Sequence, residues 1–119
     1  MFKADGDKTK VEYRVTANGT TIFETMFAGE PHEMVTAYTL DGDSILATHY
    51  CSGGNQPHMR LNAARTNANE IVFDFVSITG KVTDSHIKAV RFRFDDDKVQ
   101  ELWSTSTKDE YLSLHYDTH

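Results

Sequence analysis

His49 and Cys51 stand two residues apart in the run Thr48-His49-Tyr50-Cys51-Ser52-Gly53-Gly54-Asn55-Gln56-Pro57-His58-Met59, which holds the only cysteine and two of the six histidines. An imidazole and a thiol at that spacing allow three chemistries. As metal ligands they would need completion by His58, His86 or Glu101 from other strands, and zinc accepts such nitrogen, sulfur and oxygen sets with a position left open. No C-x-x-C or H-x-x-x-H spacing accompanies them, so no metal is assigned. As a nucleophile and its base, Cys51 and His49 would have Cα atoms about 6.5–7 Å apart, a strained reach for a direct hydrogen bond. The backbone N–H groups of Gly53-Gly54-Asn55 would then face an oxyanion. As polar anchors in an apolar pocket they would hold a small ligand without covalent chemistry, which is the favoured reading. A haem variant would use His49, His86 or His115 as axial ligand with Met59 or Tyr38 nearby.

The elements that must position these groups alternate with period 2 almost throughout, which is the signature of half-buried strands. Strands are expected at 9–17, 20–28, 33–40, 43–51, 58–64, 70–76, 86–94, 99–105 and 110–116. Asn18-Gly19, Asp41-Gly42 and Asp95-Asp96-Asp97-Lys98 mark tight turns, and another is expected near Lys108-Asp109. Residues 77–85 are the longest connection, with Thr83-Asp84-Ser85 able to cap one short helical turn. About nine strands joined by hairpin-length connections make a meander, and a meander protects its edges by closing. The expected fold is therefore all-β, an antiparallel up-and-down barrel of about 8–10 strands forming a single domain over 1–119, preferred to a two-sheet sandwich.

Phase along each strand then sorts the side chains. With Ile45, Ala47, His49 and Cys51 inward, the interior collects Met34, Thr36, Tyr38, Met59, Phe73, Phe75, Val90, Phe92, Trp103, Leu112 and Leu114. Glu101 alternates with Val99 and Trp103 and becomes an inward carboxylate, which needs a partner such as His49, His86 or Arg60. The candidate ligand-binding set is Tyr38, His49, Cys51, Gln56, Met59, Phe73, Phe92, Glu101 and Trp103, with the Gly53–Pro57 loop as the mouth. The opposing reading is a barrel filled by these same side chains. At the rim, His32 and Glu33 offer an acid–base pair. Asp41-Gly42-Asp43 and Asp95-Asp96-Asp97 lack the six or more oxygens of a calcium loop and read as solvated turns.

A net charge of -6 disfavours a nucleic-acid backbone or an anionic membrane as partner, and no apolar run approaches the ~20 residues that span a bilayer. One cysteine excludes an internal disulfide. The segment Met1–Asp7 has no apolar core of a signal peptide, so the expected location is cytoplasmic if residue 1 is native, and secreted or periplasmic if a leader was removed.

Gly29-Glu30-Pro31-His32-Glu33-Met34-Val35, Tyr38, Leu40-Asp41-Gly42-Asp43, Thr48-His49-Tyr50-Cys51, Gly54-Asn55-Gln56-Pro57 and Met59-Arg60 together resemble a family of small bacterial proteins with a calycin-like barrel, the broad group of lipocalins and fatty-acid-binding proteins. The resemblance implies the barrel and is compatible with secretion, and it carries no reaction. Such proteins usually open with a tryptophan-bearing strand, here reduced to Met1–Ala4 or absent. That departure points to an N-terminal edge that a partner subunit would cover.

Overall fold

Tight turns set the topology. Asp41 pairs with Ser44 across Gly42-Asp43, and Asp95 pairs with Lys98 across Asp96-Asp97. The left-handed residues these turns need are Gly42 (φ 60°) and Asp96 (φ 56°). At Asn18-Gly19 the expected two-residue hairpin is a longer turn: Thr16 pairs with Thr21, and residues 17–19 form a 3₁₀ turn with all three φ positive.

The computed structural model describes residues 2–3, 10–81, 85–108 and 112–117. The strands are β1 (Phe2–Lys3), β2 (Lys10–Thr16), β3 (Thr21–Met26), β4 (Met34–Asp41), β5 (Ser44–Tyr50), β6 (Asn55–Leu61), β7 (Glu70–Gly80), β8 (Ile87–Asp95), β9 (Lys98–Thr105) and β10 (Leu112–Asp117). They form one sheet in chain order, every neighbour antiparallel. The sheet curls until β1 lies beside β10, with no ladder between these two among the described residues. The fold is thus an antiparallel up-and-down β-barrel.

The nine expected strands correspond to β2–β10. The reduced N-terminal strand is present as β1, with Phe2 opposite Val11. The helical turn expected at 83–85 and the turn at 108–109 lie wholly or partly outside the described residues. Most boundaries shift by one or two residues; the larger differences are that β6 runs from Asn55 to Leu61 in place of 58–64 and that β7 runs on to Gly80. Pro57 therefore sits inside a strand, although it cannot donate a ladder bond. The β5–β6 ladder explains its tolerance, since that ladder spans only Leu46–Thr48 against His58–Arg60 and stops before Pro57. Gly80, with φ +82°, closes the far side. A Cβ there would lie 2.6 Å from the Gly54 carbonyl oxygen, so no larger residue fits the approach of β7 to the 51–55 turn.

Alternation holds the core inside. Val11, Met26, Tyr38, Ala47, Met59, Phe73, Val90, Trp103 and Leu114 are all buried, and their removal from water is the main favourable term of folding. The phase survives two irregularities that would otherwise invert it. One lies in β7 opposite His58 and Met59, the other in β8 between Ile87 and Ala89. At one end of the barrel the inward phase runs out into exposed Val15, Ile22, Leu40 and Phe94. The other end holds the candidate site.

Candidate functional site

His49 is positioned by β5, whose residues Ala47 and His49 face inward while Tyr50 is exposed. The imidazole is completely buried. Its Nδ1 lies 2.9 Å from Thr36 Oγ1 on the paired strand β4, and its ring lies 4.8 Å from that of Trp103, tilted by 47°. Burial lowers its pKa from 6.5 to about 4, so the ring is neutral at physiological pH. Nε2 is buried and has no hydrogen-bond partner among the described residues. Asn55 Oδ1 is in the same condition.

Beside His49 is a cavity of about 260 Å³, walled by Met26, Phe27, Met34, Ile87, Trp103 and Thr105, with Cys51, Ser52, His32, Ser85 and His86 also bordering it. His32, Ser52 and Ser85 are exposed, which places the opening among them. None of the expected mouth, Gly53–Pro57, borders the cavity: Cys51 and Ser52 just before it do, and the chain from Asn55 onward belongs to β6.

Deeper in the barrel lies a polar cluster that sequence reasoning saw only by half. Glu101 is inward and completely buried, as expected. Its partners are neither His49, His86 nor Arg60. Trp103 Nε1 donates to Glu101 Oε2 at 2.7 Å, and the Tyr13 hydroxyl lies 2.7 Å from Glu101 Oε1. The same hydroxyl lies 2.6 Å from Oε2 of Glu24, a second completely buried carboxyl, whose Oε1 accepts from Tyr38 at 3.1 Å. Tyr13 has one proton for two carboxyls. The network therefore closes when Glu24 is protonated and gives its proton to Tyr13 or to Glu101, with which it also bonds. Desolvation, reinforced by the nearby charge of Glu101, raises the Glu24 pKa well above 4.5 in agreement. Glu24 had a legible signal, since it alternates with Ile22 and Met26. It was obscured by Phe23, which is apolar in the opposite phase and packs under Arg14 on the outside.

The proposed ligand residues divide between the two regions and the outer wall. His49, Cys51 and Trp103 border the cavity together with Met34. Tyr38, Phe73 and Phe92 pack on one another with ring centroids 5.4–6.3 Å apart; they fill the barrel, as does Val90, and do not border the cavity. Met59 is buried opposite Ala47 and borders a second hollow near the β7 bulge, of about 270 Å³, with Val76 and Ser77. Phe75 is partly exposed against His86. Gln56 is no ligand anchor: its amide donates to the Gly54 carbonyl and accepts from Thr79, outside the barrel. Arg60 is also outside, paired with Asp41 at 3.1 Å.

The metal and thiol arrangements are not assembled. His58 faces outward between Thr48 and Thr79, while Glu101 is committed to the inner network. No group of three metal-ligating side chains occurs among the described residues. His49 makes no hydrogen bond to Cys51, since its Nδ1 is on Thr36 and its Nε2 is unpartnered. The N–H of Gly53 points to Cys51 Sγ at 3.5 Å and that of Gly54 to the Cys51 carbonyl at 3.1 Å, so neither is free for an oxyanion. At the rim, Glu33 accepts from the Gly29 N–H and the His32 ring lies 4.5 Å from that of Phe27, tilted by 41°. The side chains of Leu112 and His115 lie outside those described. No protein-family model, no curated protein and no solved structure matches this chain.

Proposed function

We propose that the barrel binds a small, partly apolar ligand, without covalent chemistry, in the cavity beside His49. The observation that carries this reading is His49, which borders a 260 Å³ hollow and whose buried Nε2 has no hydrogen-bond partner among the described residues. A buried polar atom without a partner costs about 1–3 kcal/mol, and a ligand atom that supplies the missing bond recovers it. The deeper walls are mainly thioether, indole, phenyl and aliphatic groups, with Thr105 and Cys51 also bordering the space and the exposed His32, Ser52 and Ser85 at its opening. Such a composition binds by burial and orients by a few polar contacts. An apolar cavity of about 150 Å³ suffices for benzene, so this one takes one or two rings. The calycin-like resemblance of residues 29–60 accords with this reading.

The test is a screen of uncharged one- and two-ring compounds against the whole chain, followed by Trp103 fluorescence and by the methyl resonances of Met26 and Met34. Binders are expected to change both signals, because Trp103 is the only tryptophan and all three side chains border the cavity. If no compound binds at millimolar concentration, or if binders leave both signals unchanged, the proposal is wrong.

A further inference from the structure

Resting on that reading, we infer that the ligand is an uncharged molecule of one or two fused rings carrying a hydroxyl group, which hydrogen-bonds to His49 Nε2.

The hydroxyl follows from the bond on the other side of the imidazole. Thr36 Oγ1 can donate to Nδ1, leaving Nε2 protonated and in need of an acceptor, or it can accept from Nδ1–H, leaving a lone pair on Nε2 in need of a donor. A hydroxyl does either. A ketone or ether serves only the first tautomer.

The absence of charge follows from the walls. Among the described residues bordering the cavity there is no Asp, Glu, Lys or Arg. The buried carboxyl Glu101 stands behind Trp103, whose indole N–H it accepts. A carboxylate or ammonium on the ligand would enter this space unpaired, at a cost that burial magnifies. His49 is a poor counter-ion at neutral pH, since burial holds its pKa near 4 and a bound anion would first have to raise it past neutrality. Among the described residues, the other imidazoles on the border are His32, exposed at the opening, and His86, whose Nδ1 lies 3.1 Å from the Ile87 carbonyl. The ring follows from what else lines the hollow: Met26, Met34, Trp103 and Phe27 offer sulfur and aromatic groups, which favour a π-system.

Calorimetry with 2-naphthol, naphthalene and 2-naphthoate separates the three elements, since they share one shape and differ in one group. The expected order is 2-naphthol tightest, by about tenfold over naphthalene for one hydrogen bond to a buried orphan, with 2-naphthoate weakest. His49→Phe is expected to bring 2-naphthol and naphthalene to equal affinity. In the unaltered protein, 2-naphthol should shift the His49 Nε2 nitrogen resonance and naphthalene should not, a readout that stands even if the variant fails to fold. Equal affinities for 2-naphthol and naphthalene in the unaltered protein, an unmoved Nε2 resonance, or preference for 2-naphthoate would overturn the hydroxyl inference and leave small-ligand binding intact. No binding of any of the three would sink both.

Discussion

Two buried polar regions lie within one barrel, and they differ in whether their hydrogen bonds close. In the middle, Glu24, Glu101, Tyr13, Tyr38 and Trp103 share hydrogen bonds whose donors and acceptors match when Glu24 is protonated. At the open end, His49 has one nitrogen satisfied by Thr36 and one by nothing among the described residues, with a hollow next to the residue. Desolvation acts on both and pushes each toward its neutral form. Burial alone therefore does not distinguish structure from site. A polar group with its partners in place stabilises a unique packing, whereas the one left incomplete beside empty space is where we propose that a ligand fits.

The most severe way to break this contrast is Glu101→Leu. It strands the buried Trp103 N–H and takes from Glu24 the neighbour it bonds. Loss of one member of a buried network should cost about 3–5 kcal/mol in a denaturant melt. A loss below about 1 kcal/mol would mean the network contributes little to the fold.

The next effect is a pH dependence with opposite signs in the two regions. For His49 the folded pKa, about 4, lies below the 6.5 of the free group. Between those values the unfolded chain binds more protons, so stability is complete above pH 6.5 and falls as pH drops to 4. The 2.5-unit gap corresponds to about 3 kcal/mol across that window. For Glu24 the folded pKa lies above 4.5, so the native state holds the extra proton and stability falls as pH rises through the gap. The two slopes oppose each other where the windows overlap, and variants separate them. His49→Phe should leave only the carboxyl slope. Glu24→Gln, which keeps a donor and an acceptor in place, should leave only the histidine slope and raise stability at pH 7. Urea melts from pH 4 to 7 check both; unchanged profiles would show that neither group is desolvated as described.

What the chain revealed beforehand follows the same division. The strand order and the inward phase of Ala47, His49 and Glu101 were legible because alternation and Gly/Asp turns are local signals. The partners of Glu101 were not, because Tyr13 lies 88 positions away and only closure of the meander brings it near. Sequence reasoning offered cations for a buried carboxylate and did not consider a second carboxyl, since two acids attract only when one is protonated. The start of β6 was misread because Pro57 ordinarily argues against a strand, and it was the early end of the β5–β6 ladder that removed the objection. Gln56 was read as a ligand anchor at the rim and Arg60 as a partner for Glu101, yet both alternate with buried Asn55, Pro57 and Met59 and so face out.

That last assignment yields the smallest expected effect and the sharpest boundary for the site. Arg60 and Asp41 form their ion pair with side chains about half exposed, at 46% and 52%, where solvent screens the charges and side-chain entropy opposes the contact. Arg60→Ala should change stability by less than about 0.5 kcal/mol. It should also leave 2-naphthol affinity unaltered, although Arg60 adjoins Met59, one of the most completely buried residues in the chain. A loss of affinity in this variant would mean that the outer face of β6 communicates with the cavity, and the division between a closed interior and its wall would have to be redrawn.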